Sequence, residues 1–380
     1  MQATDFSALS TGRLVPAGDA QAFVPHDTPR DLPLDATTIG VLARAGHAIG
    51  ELSGASRRLV NPLIYYASLL RKEAIVSSRI EETYATPDQV ALQEIGGGSS
   101  SPEGAEVYNF VKATEHALRG VKKSEARIDL PLMLDAHRVL MKGVRGGREQ
   151  PGEFRMVQNW IGTPSGGVRE ARFVPPPPQE LAPLLRDLER YMNDDADDTP
   201  HLIRVALAHY QFETIHPFRD GNGRIGRLLI MLMLVRHSML PGPVLPVSTA
   251  IERRKSEYMD RMLAVSTRGE WNAWLTFFLE CVTESARDAM TFLGKLERIH
   301  ADWLDKVQTT RASVRLTKVL DALFVRPVIT IGEAGRLMKV TPAAASASIT
   351  KLERFGILTE VSHRKRDRTY FARAIINLMN

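Results

Sequence analysis

Residues 215–227 read IHPFRDGNGRIGR and combine, in one short stretch, an imidazole, a carboxylate, bare glycines and several arginines. Gly221 and Gly223 allow the backbone to adopt positive φ angles and to approach a ligand closely. Arg224 opens a helix whose unpaired N–H groups favour an anion, and Arg227 follows on the next turn of the same face. Together these features predict a cradle for phosphate groups.

Two further side chains of this stretch are suited to chemistry on a bound phosphate. Asp220 stands at the mouth of the cradle and offers the hard oxygen ligand that Mg²⁺ prefers. His216 precedes it by four residues, and the near-neutral pKa of histidine suits a general base that takes a proton from a hydroxyl.

Each of these residues also has a simpler interpretation. A histidine beside a helix end commonly caps or packs, an Asn-Gly pair commonly forms a tight turn, and paired arginines commonly lie on a solvated face. His201, His209 and His216 could be imagined as zinc ligands, but their spacing is loose and no cysteine supports them. No other phosphate-binding fingerprint occurs in the chain.

The complete string decides between these interpretations. It resembles the signature of the Fic family, H-x-F-x-[DE]-G-N-G-R-x-x-R, and fills every specified position. The resemblance extends to LVNPLIYYASLLRKEAIVSSRIEETYAT, GVRGGREQPGEFR, ARFVPPPP and WNAWLTFFL, all between residues 30 and 295. The chain looks like the bacterial type of this family, with an N-terminal helical extension and a C-terminal winged helix.

The resemblance implies a mainly α fold that transfers AMP from Mg-ATP to a Ser, Thr or Tyr hydroxyl of a target protein. It implies that His216 deprotonates the hydroxyl and that Asp220 holds Mg²⁺. It further implies that the α- and β-phosphates are bound by Gly221, Asn222, Gly223 and Arg224, and the γ-phosphate by Arg227. Residues 152–174 are predicted to form a hairpin similar to the family's flap, in which Trp160, Ile161 and Gly162 dock the target segment by strand addition.

The stretch SSRIEE, residues 77–82, admits two interpretations. By itself it reads as an amphipathic helix end with surface carboxylates. Beside the Fic signature it resembles the family's inhibitory helix, [ST]-x-x-x-E-[GN], with Ser77 and Glu81 in place and Glu82 departing from the pattern. Glu81 is expected to pair with Arg227 in a bidentate ion pair and so to withhold that guanidinium from the γ-phosphate. The same glutamate could position a water for removal of AMP, and the sequence does not separate these roles.

Composition places the chain among ordinary globular proteins, with 44% hydrophobic and 24% charged residues over 380 positions. The apolar run LLIMLMLV, residues 228–235, is too short for a membrane span and predicts a buried helix. Cys281 is the only cysteine, which excludes an intramolecular disulfide and makes a reducing cytoplasm the expected compartment. Residues 1–30 lack any period and predict an irregular arm.

The organisation suggests an N-terminal helical extension over 1–105, a Fic catalytic domain over 106–300 and a winged-helix domain over 311–380. GGGSSSPEG, residues 96–104, predicts a flexible loop. The last segment holds 13 Lys and Arg against 5 Asp and Glu, whereas the whole chain has a net charge of only +5. It reads as a helix-turn-helix with Thr341 capping the recognition helix and a basic wing, SHRKRDR.

Small residues open that recognition helix, so contact with a DNA backbone is easier to defend than base readout, and a protein-docking or dimerising role stays open. For the whole chain, the main alternatives to AMP transfer are hydrolytic removal of AMP, transfer of another nucleotidyl group such as UMP, and a nucleotide-sensing DNA-binding regulator. An intact His216 and Asp220 favour an enzyme, because a binding protein needs no base beside a metal ligand.

Overall fold

The computed structural model describes residues 3–59, 61–96, 101–121, 127–144, 150–162, 167–308, 313–362 and 368–379. Its fold is mainly α, as predicted. The helices of the larger part are α1 (Ala36–Arg58), α2 (Pro62–Ile80), α3 (Pro87–Glu94), α4 (Pro102–Val121), α5 (Leu130–Leu140), α6 (Pro178–Met192), α7 (His201–Ile215), α8 (Asn222–Arg236), α9 (Ser248–Arg253), α10 (Lys255–Arg268) and α11 (Trp271–Gln308).

Helices α7 and α8 form the centre of the molecule. Every residue of α7 from Leu202 to Ile215 is buried, and so is α8 from Arg224 to Leu234. A helix that is apolar on all sides has to be covered on all sides, which the surrounding helices α2, α4, α6 and α11 accomplish. The run LLIMLMLV is therefore a buried helix, as predicted. Among the described residues, no helix is both long enough and apolar enough to cross a bilayer.

The helix boundaries follow local signals in the sequence. Asp35 accepts a hydrogen bond from the Thr38 amide at 2.7 Å and so caps α1. Pro178 begins α6 directly after the run of prolines, at a position where a missing N–H costs nothing. Helix α4 begins at Pro102, inside the segment predicted to be a flexible loop, and residues 97–100 of that segment lie outside the described residues.

The prediction of an irregular N-terminal arm is wrong. Strands β1 (Gly12–Ala17) and β2 (Ala20–Pro25) form an antiparallel hairpin closed by a two-residue turn at Gly18 and Asp19. Gly18 has a φ of 62°, which suits the turn types that match the twist of paired strands. Two prolines and few large apolar residues hid this pairing from the sequence pattern. Phe23 of β2 is fully buried beside the rings of Phe6 and Phe173, and its amide donates to the Val174 carbonyl at 2.9 Å.

The predicted hairpin at 152–174 is much shorter in the described residues than expected. Its two runs pair through a single antiparallel bridge, in which Ile161 and Phe173 exchange two backbone hydrogen bonds of 2.8 and 3.1 Å. A short 3₁₀ turn at Val168–Glu170 takes the place of the start of the second predicted strand. The tip, residues 163–166, lies outside the described residues. The extended backbone here is held by side-chain contacts rather than by a ladder, for Gln158 Nε2 donates to the carbonyl of Pro175 at 2.9 Å.

The C-terminal part contains α12 (Ser313–Val325), β3 (Val328–Thr330), α13 (Ile331–Met338), α14 (Pro342–Arg354), β4 (Thr359–Glu360), β5 (Thr369–Phe371) and α15 (Arg373–Ile376). Its three strands form one antiparallel sheet in the order β3-β5-β4. Thr341 caps α14 as predicted, with its hydroxyl accepting from the Ala344 amide. The tip of the predicted wing, residues 363–367, lies outside the described residues, and assignment to a winged helix stays a prediction.

Helix α2 joins the C-terminal part to the helical body. Helix α12 packs along the first half of α2. There the ring centroids of Tyr65 and Phe324 lie 5.8 Å apart in an edge-to-face contact, and the Ser68 hydroxyl donates to the Phe324 carbonyl at 3.3 Å. Further along, Arg71 forms a buried ion pair with Glu94 of α3. The described apolar core runs without a break through both parts of the chain.

Candidate active site

The connection between α7 and α8 lies at one end of a cavity of about 830 Å³. His216, Asp220, Gly223 and Arg227 all line this cavity, so the sequence-predicted base, carboxylate, glycine and second arginine share one space. Ile161 and Gly162 of the predicted flap line it as well. Trp160 is not part of the lining and is 40% exposed.

His216 ends helix α7 and is held in an unusual backbone conformation. Its φ of 49° and ψ of 59° place it in the left-handed region, and its amide donates to the Phe212 carbonyl at 2.9 Å. Pro217 follows and cannot continue the helix. The buried Arg155 donates to carbonyls left unpaired at this helix end, and its Nε bonds to the His216 carbonyl at 2.9 Å. This role of Arg155 was not predicted from the sequence.

The His216 ring has a defined tautomer and charge. Its Nδ1 lies 3.2 Å from the Glu213 carbonyl, which can only accept, so Nδ1 carries the proton and Nε2 keeps a lone pair. Burial lowers the pKa of His216 from 6.5 to about 4, so the ring is neutral at pH 7. A neutral imidazole with a free Nε2 is the form that a general base requires.

The loop between the helices is tied together by Asn222 and His137. The Asn222 amide accepts from the Phe218 N–H and donates to the Phe218 carbonyl, both at 2.8 Å, so this side chain closes the loop instead of facing the cavity. His137 of α5 stacks on the Phe218 ring at 3.8 Å, and its Nε2 lies 3.0 Å from the Asp220 carbonyl. The Gly152 amide donates to His137 Nδ1, which leaves Nε2 as the donor to Asp220.

The N-terminus of α8 forms the floor of the cavity. Gly221 has a φ of 79° and precedes the helix, and the Ile225 amide makes the first α-helical bond, to the Gly221 carbonyl at 3.0 Å. The N–H groups of Asn222, Gly223 and Arg224 are therefore available to an anion, whereas that of Gly221 donates to Asp220 Oδ1. A side chain at Gly223 would collide with both Glu81 and Arg227, since its Cβ would lie 2.1 Å from Glu81 Oε1.

The two arginines of the stretch differ in their surroundings. Both are 1% exposed, but Arg227 lines the cavity whereas Arg224 does not. Arg224 Nη1 donates to the buried carboxylate of Glu106 on α4. Its Nη2 lies 3.5 Å from Asp220 Oδ1. Glu106 was not predicted from the sequence. The only feature of the sequence that could have indicated it is its position as an acidic residue among the apolar positions of the helical pattern.

Arg227 is bound by the end of helix α2. Its Nε donates to the Ser77 hydroxyl at 2.8 Å, and its Nη2 donates to the Ser77 carbonyl at 2.9 Å and to Glu81 Oε1 at 2.7 Å. Glu81 thus receives one hydrogen bond rather than the expected bidentate pair, because Ser77 takes Nε and shares Nη2 with Glu81. Partial burial raises the pKa of Glu81, but the nearby guanidinium groups of Arg227 and Arg224 outweigh it and hold the pKa below its usual value.

Glu82 occupies the turn that ends α2. Its φ is 61°, and the Glu82 and Thr83 amides bond back to the Arg79 and Ser78 carbonyls at 3.0 Å. A left-handed residue in this position usually is Gly or Asn, which is the family pattern from which Glu82 departs. The Glu82 side chain is 80% exposed, and Lys255 beside it donates to the Ile80 carbonyl at 2.7 Å.

Two polar residues of the cavity wall were not predicted. Glu213 is 8% exposed, its Oε1 has no hydrogen-bond partner, and burial raises the pKa of this carboxyl to about 8. Tyr258 is 3% exposed and its hydroxyl lies 2.8 Å from His209 Nε2. His209 and His201 lie apart from the cavity lining, and no group of three or more His, Cys, Asp or Glu among the described residues could hold a metal ion alone.

Fold and site together define a mainly helical protein with a neutral histidine beside the N-terminus of a buried helix. Residues 127–234 match the family model described as Fic/DOC family, and residues 39–119 match the one described as Fic/DOC family N-terminal. The chain belongs to the Fic family.

Curated relatives and solved structures agree with this membership. The protein adenylyltransferases Fic of Drosophila melanogaster and Drosophila ananassae are 32% and 33% identical to this chain over 188 residues. Those residues are 48% of this chain, and the chain spans about a third of the length of these relatives.

Two solved structures share the fold. A Fic family protein from Desulfovibrio desulfuricans has a TM-score of 0.56 and 21% identity, over 90% of this chain and 97% of that one. A Fic domain containing signaling protein from Bacteroides thetaiotaomicron has a TM-score of 0.51 and 19% identity, over 67% of this chain and 95% of that one.

Proposed function

We propose that this protein is a protein adenylyltransferase that transfers AMP from ATP to a Ser, Thr or Tyr hydroxyl of a target protein. The observation that carries the proposal is the shared cavity, which is lined both by a neutral His216, whose Nε2 keeps its lone pair, and by Gly223 at the N-terminus of α8. The curated relatives named protein adenylyltransferases support the same class of reaction.

In the proposed reaction the target hydroxyl gives its proton to His216 Nε2 while its oxygen attacks the α-phosphorus of ATP. The bond from that phosphorus to the bridging oxygen of the β-phosphate breaks, and pyrophosphate leaves. The N–H groups at the start of α8 stabilise the growing negative charge by donating hydrogen bonds, and Gly223 leaves room for the phosphates. Arg227 is the cation for the γ-phosphate. Catalysis is thus mainly orientation and electrostatic stabilisation.

Asp220 fits the proposed magnesium role. Its carboxylate is half-exposed, lines the cavity and receives the Gly221 amide on one oxygen only. Mg²⁺ at nucleotide sites commonly takes one or two protein carboxylates, with phosphate oxygens and waters completing the set. When bound, the ion would neutralise phosphate charge. Asn222 and Arg224 belong in this proposal as residues that shape the phosphate site, since neither lines the cavity.

We further propose that Ser77 and Glu81 inhibit the enzyme by holding Arg227. Their three hydrogen bonds occupy Nε and Nη2 of the guanidinium that the γ-phosphate would otherwise bind. The backbone of Trp160 and Gly162, on either side of the Ile161 that pairs with Phe173, is the proposed docking edge for the target segment. Hydrolytic removal of AMP is the second candidate reaction, supported by the Glu81 carboxylate lying in the same cavity as His216.

The C-terminal part is proposed to be a winged helix that contacts a DNA backbone or a protein, including a second copy of the chain. Its helix α14 exposes Pro342, Ala343, Ala344 and Ala347 together with Arg354. Small side chains with a cation at the far end suit close approach to a backbone more than base readout.

The test uses ATP radiolabelled at the α-phosphate with the wild-type chain, Glu81→Gly and His216→Ala in the Glu81→Gly background. We expect label in protein with Glu81→Gly and none when His216 is replaced. Mass spectrometry of the labelled protein then identifies the modified hydroxyl. Nucleotide that is bound but never transferred, together with tight DNA binding, would instead support a nucleotide-sensing regulator.

A further inference from the structure

Glu106 of α4 is the counter-ion of Arg224. Arg224 Nη1 donates to Glu106 Oε1, and the Thr83 hydroxyl donates to the same oxygen at 3.0 Å. Arg224 is 1% exposed and Glu106 is 7% exposed, so both charges are removed from water. A guanidinium buried to this extent needs an opposite charge beside it.

Arg224 lies between two carboxylates. Its Nη1 bonds to Glu106, while its Nη2 lies 3.5 Å from Asp220 Oδ1, beyond a good hydrogen bond. Asp220 is four residues before Arg224 and is 46% exposed at the cavity, so it is free to approach the guanidinium. Glu106 is not free to leave, because α4 is fixed in the core by its fully buried neighbours Val107 and Phe110.

We propose that Glu106 is a positioning residue that holds Arg224 against α4 and thereby leaves the Asp220 carboxylate available to a divalent cation bound with the nucleotide. The inference rests on the proposed function. Without the Glu106 charge, Arg224 would have Asp220 as its nearest anionic partner, and the two would close into an ion pair. An Asp220 engaged in this way attracts a cation less strongly.

The test measures nucleotide binding rather than activity. Isothermal titration of the full-length Glu81→Gly chain with α,β-methylene ATP, in Mg²⁺ and then in EDTA, gives the gain in affinity that magnesium provides. We expect a gain of about tenfold or more in Glu81→Gly, which corresponds to a typical single charge-assisted contact. Adding Glu106→Gln should reduce this gain to less than about threefold, with a smaller change in EDTA.

Glu94→Gln is the matched control, because Glu94 forms a buried ion pair with Arg71 at 2.6 Å that does not line the cavity. It should lower the melting temperature yet keep the magnesium gain. The double variant Glu106→Gln/Arg224→Met removes both charges together, so that its nucleotide binding can be measured even if the single variant does not fold. Because Asp220 then has no guanidinium to pair with, the magnesium gain should return.

The outcomes separate this inference from the proposed function. If Glu81→Gly binds no nucleotide in either buffer, the proposed function itself fails. If Glu81→Gly shows the magnesium gain and folded Glu106→Gln keeps it, Glu106 does not act on Asp220 and only the positioning role is overturned. Loss of the gain in the double variant would overturn it equally.

Discussion

Arg227 Nη2 lies 2.7 Å from Glu81 Oε1, so the last turn of α2 and the second turn of α8 are joined through one buried guanidinium. Ser77 on the preceding turn of α2 binds the same guanidinium through its hydroxyl and its carbonyl. The segment proposed to inhibit the enzyme therefore contacts the nucleotide site through the residue that the γ-phosphate would need.

Glu81→Gly is expected to increase the initial rate of AMP transfer by about 10- to 100-fold, the size of one charge-assisted hydrogen bond. We place it toward the lower end, because the Glu81 side chain is 36% exposed and partly screened. Ser77→Ala removes the hydroxyl contact but keeps the carboxylate and should give a smaller increase. Incorporation of labelled AMP measures both. Equal rates for Glu81→Gly and wild type would refute the inhibitory role.

The pH dependence of the Glu81→Gly variant should reflect a neutral His216. With a folded-state pKa of about 4, the imidazole stays in its basic form from pH 8 down to about 5, so the rate should be level across that range and fall below it. Single-turnover assays provide the profile. A midpoint near the ordinary value of 6.5 would show that His216 is not buried as described.

Circular dichroism at each pH is the control for that profile, because the same histidine affects stability. Between pH 6.5 and about 4 the unfolded chain binds a proton at His216 that the folded chain does not. The contribution of His216 to the free energy of unfolding is therefore full above pH 6.5 and is lost as the pH falls through this window.

Glu82→Gly should stabilise the end of α2. A non-glycine residue in the left-handed region costs roughly 1 kcal/mol, which glycine avoids, although its greater freedom in the unfolded chain offsets part of the gain. We expect an unchanged or higher melting temperature and a lower basal rate of AMP transfer, because the turn that presents Glu81 becomes easier to form. Glu82→Ala keeps the strain while removing the exposed carboxylate, so a matching drop in its rate would argue against strain as the cause.

Glu213→Gln should stabilise the protein increasingly as the pH rises. The folded chain keeps the Glu213 proton up to about pH 8, whereas the unfolded chain loses it near 4.5. The contribution of Glu213 to stability is thus present below pH 4.5 and is lost as the pH rises toward 8, a loss that glutamine does not suffer. We expect the variant to melt about 2 to 6 °C higher than wild type at pH 8 and nearly equal to it at pH 5.

Glu73→Gln is the matched comparison for that measurement. Glu73 is also buried, and burial raises its pKa to about 7, but both of its oxygens accept from Ser248 at the start of α9. An amide can replace only one of those acceptors, so this variant should lose stability at both pH values. If Glu213→Gln shows the same loss, its carboxyl has a partner that the structure does not display.

Local signals carried most of what could be predicted. Glycines and arginines at fixed spacing located the loop from His216 to Arg227, because backbone freedom and a helix N-terminus are properties of neighbouring residues. The cap at Thr341 was readable for the same reason. The β1–β2 hairpin was not, since its prolines and small residues give no alternation, and Phe23 is held by residues distant in sequence, the Phe173 ring and the Val174 carbonyl.

The residues that were missed act across large sequence separations. Glu106 pairs with Arg224 from 118 positions away, and Arg155 reaches carbonyls of the His216 loop from 61 positions away. An acidic residue in a helix and an arginine after a turn look like solvated surface until the tertiary structure surrounds them. The number of hydrogen bonds that Glu81 accepts was missed for a similar reason, because a sequence does not show how Ser77 shares the same donors.

Helix α2 packs against α12 along its first half and contacts α3 near its middle, and it ends in the turn that bears Glu81. The helix therefore cannot move outward as a rigid body without breaking the contacts of Tyr65 with Phe324 and of Arg71 with Glu94. The final turn is held in the core as well, because Ser77 and Ser78 are fully buried and Ile80 is 6% exposed. Movement of Glu81 away from Arg227 is then confined to the turn beyond Ile80, and a load applied to the C-terminal helices would reach the cavity as tension along a single helix.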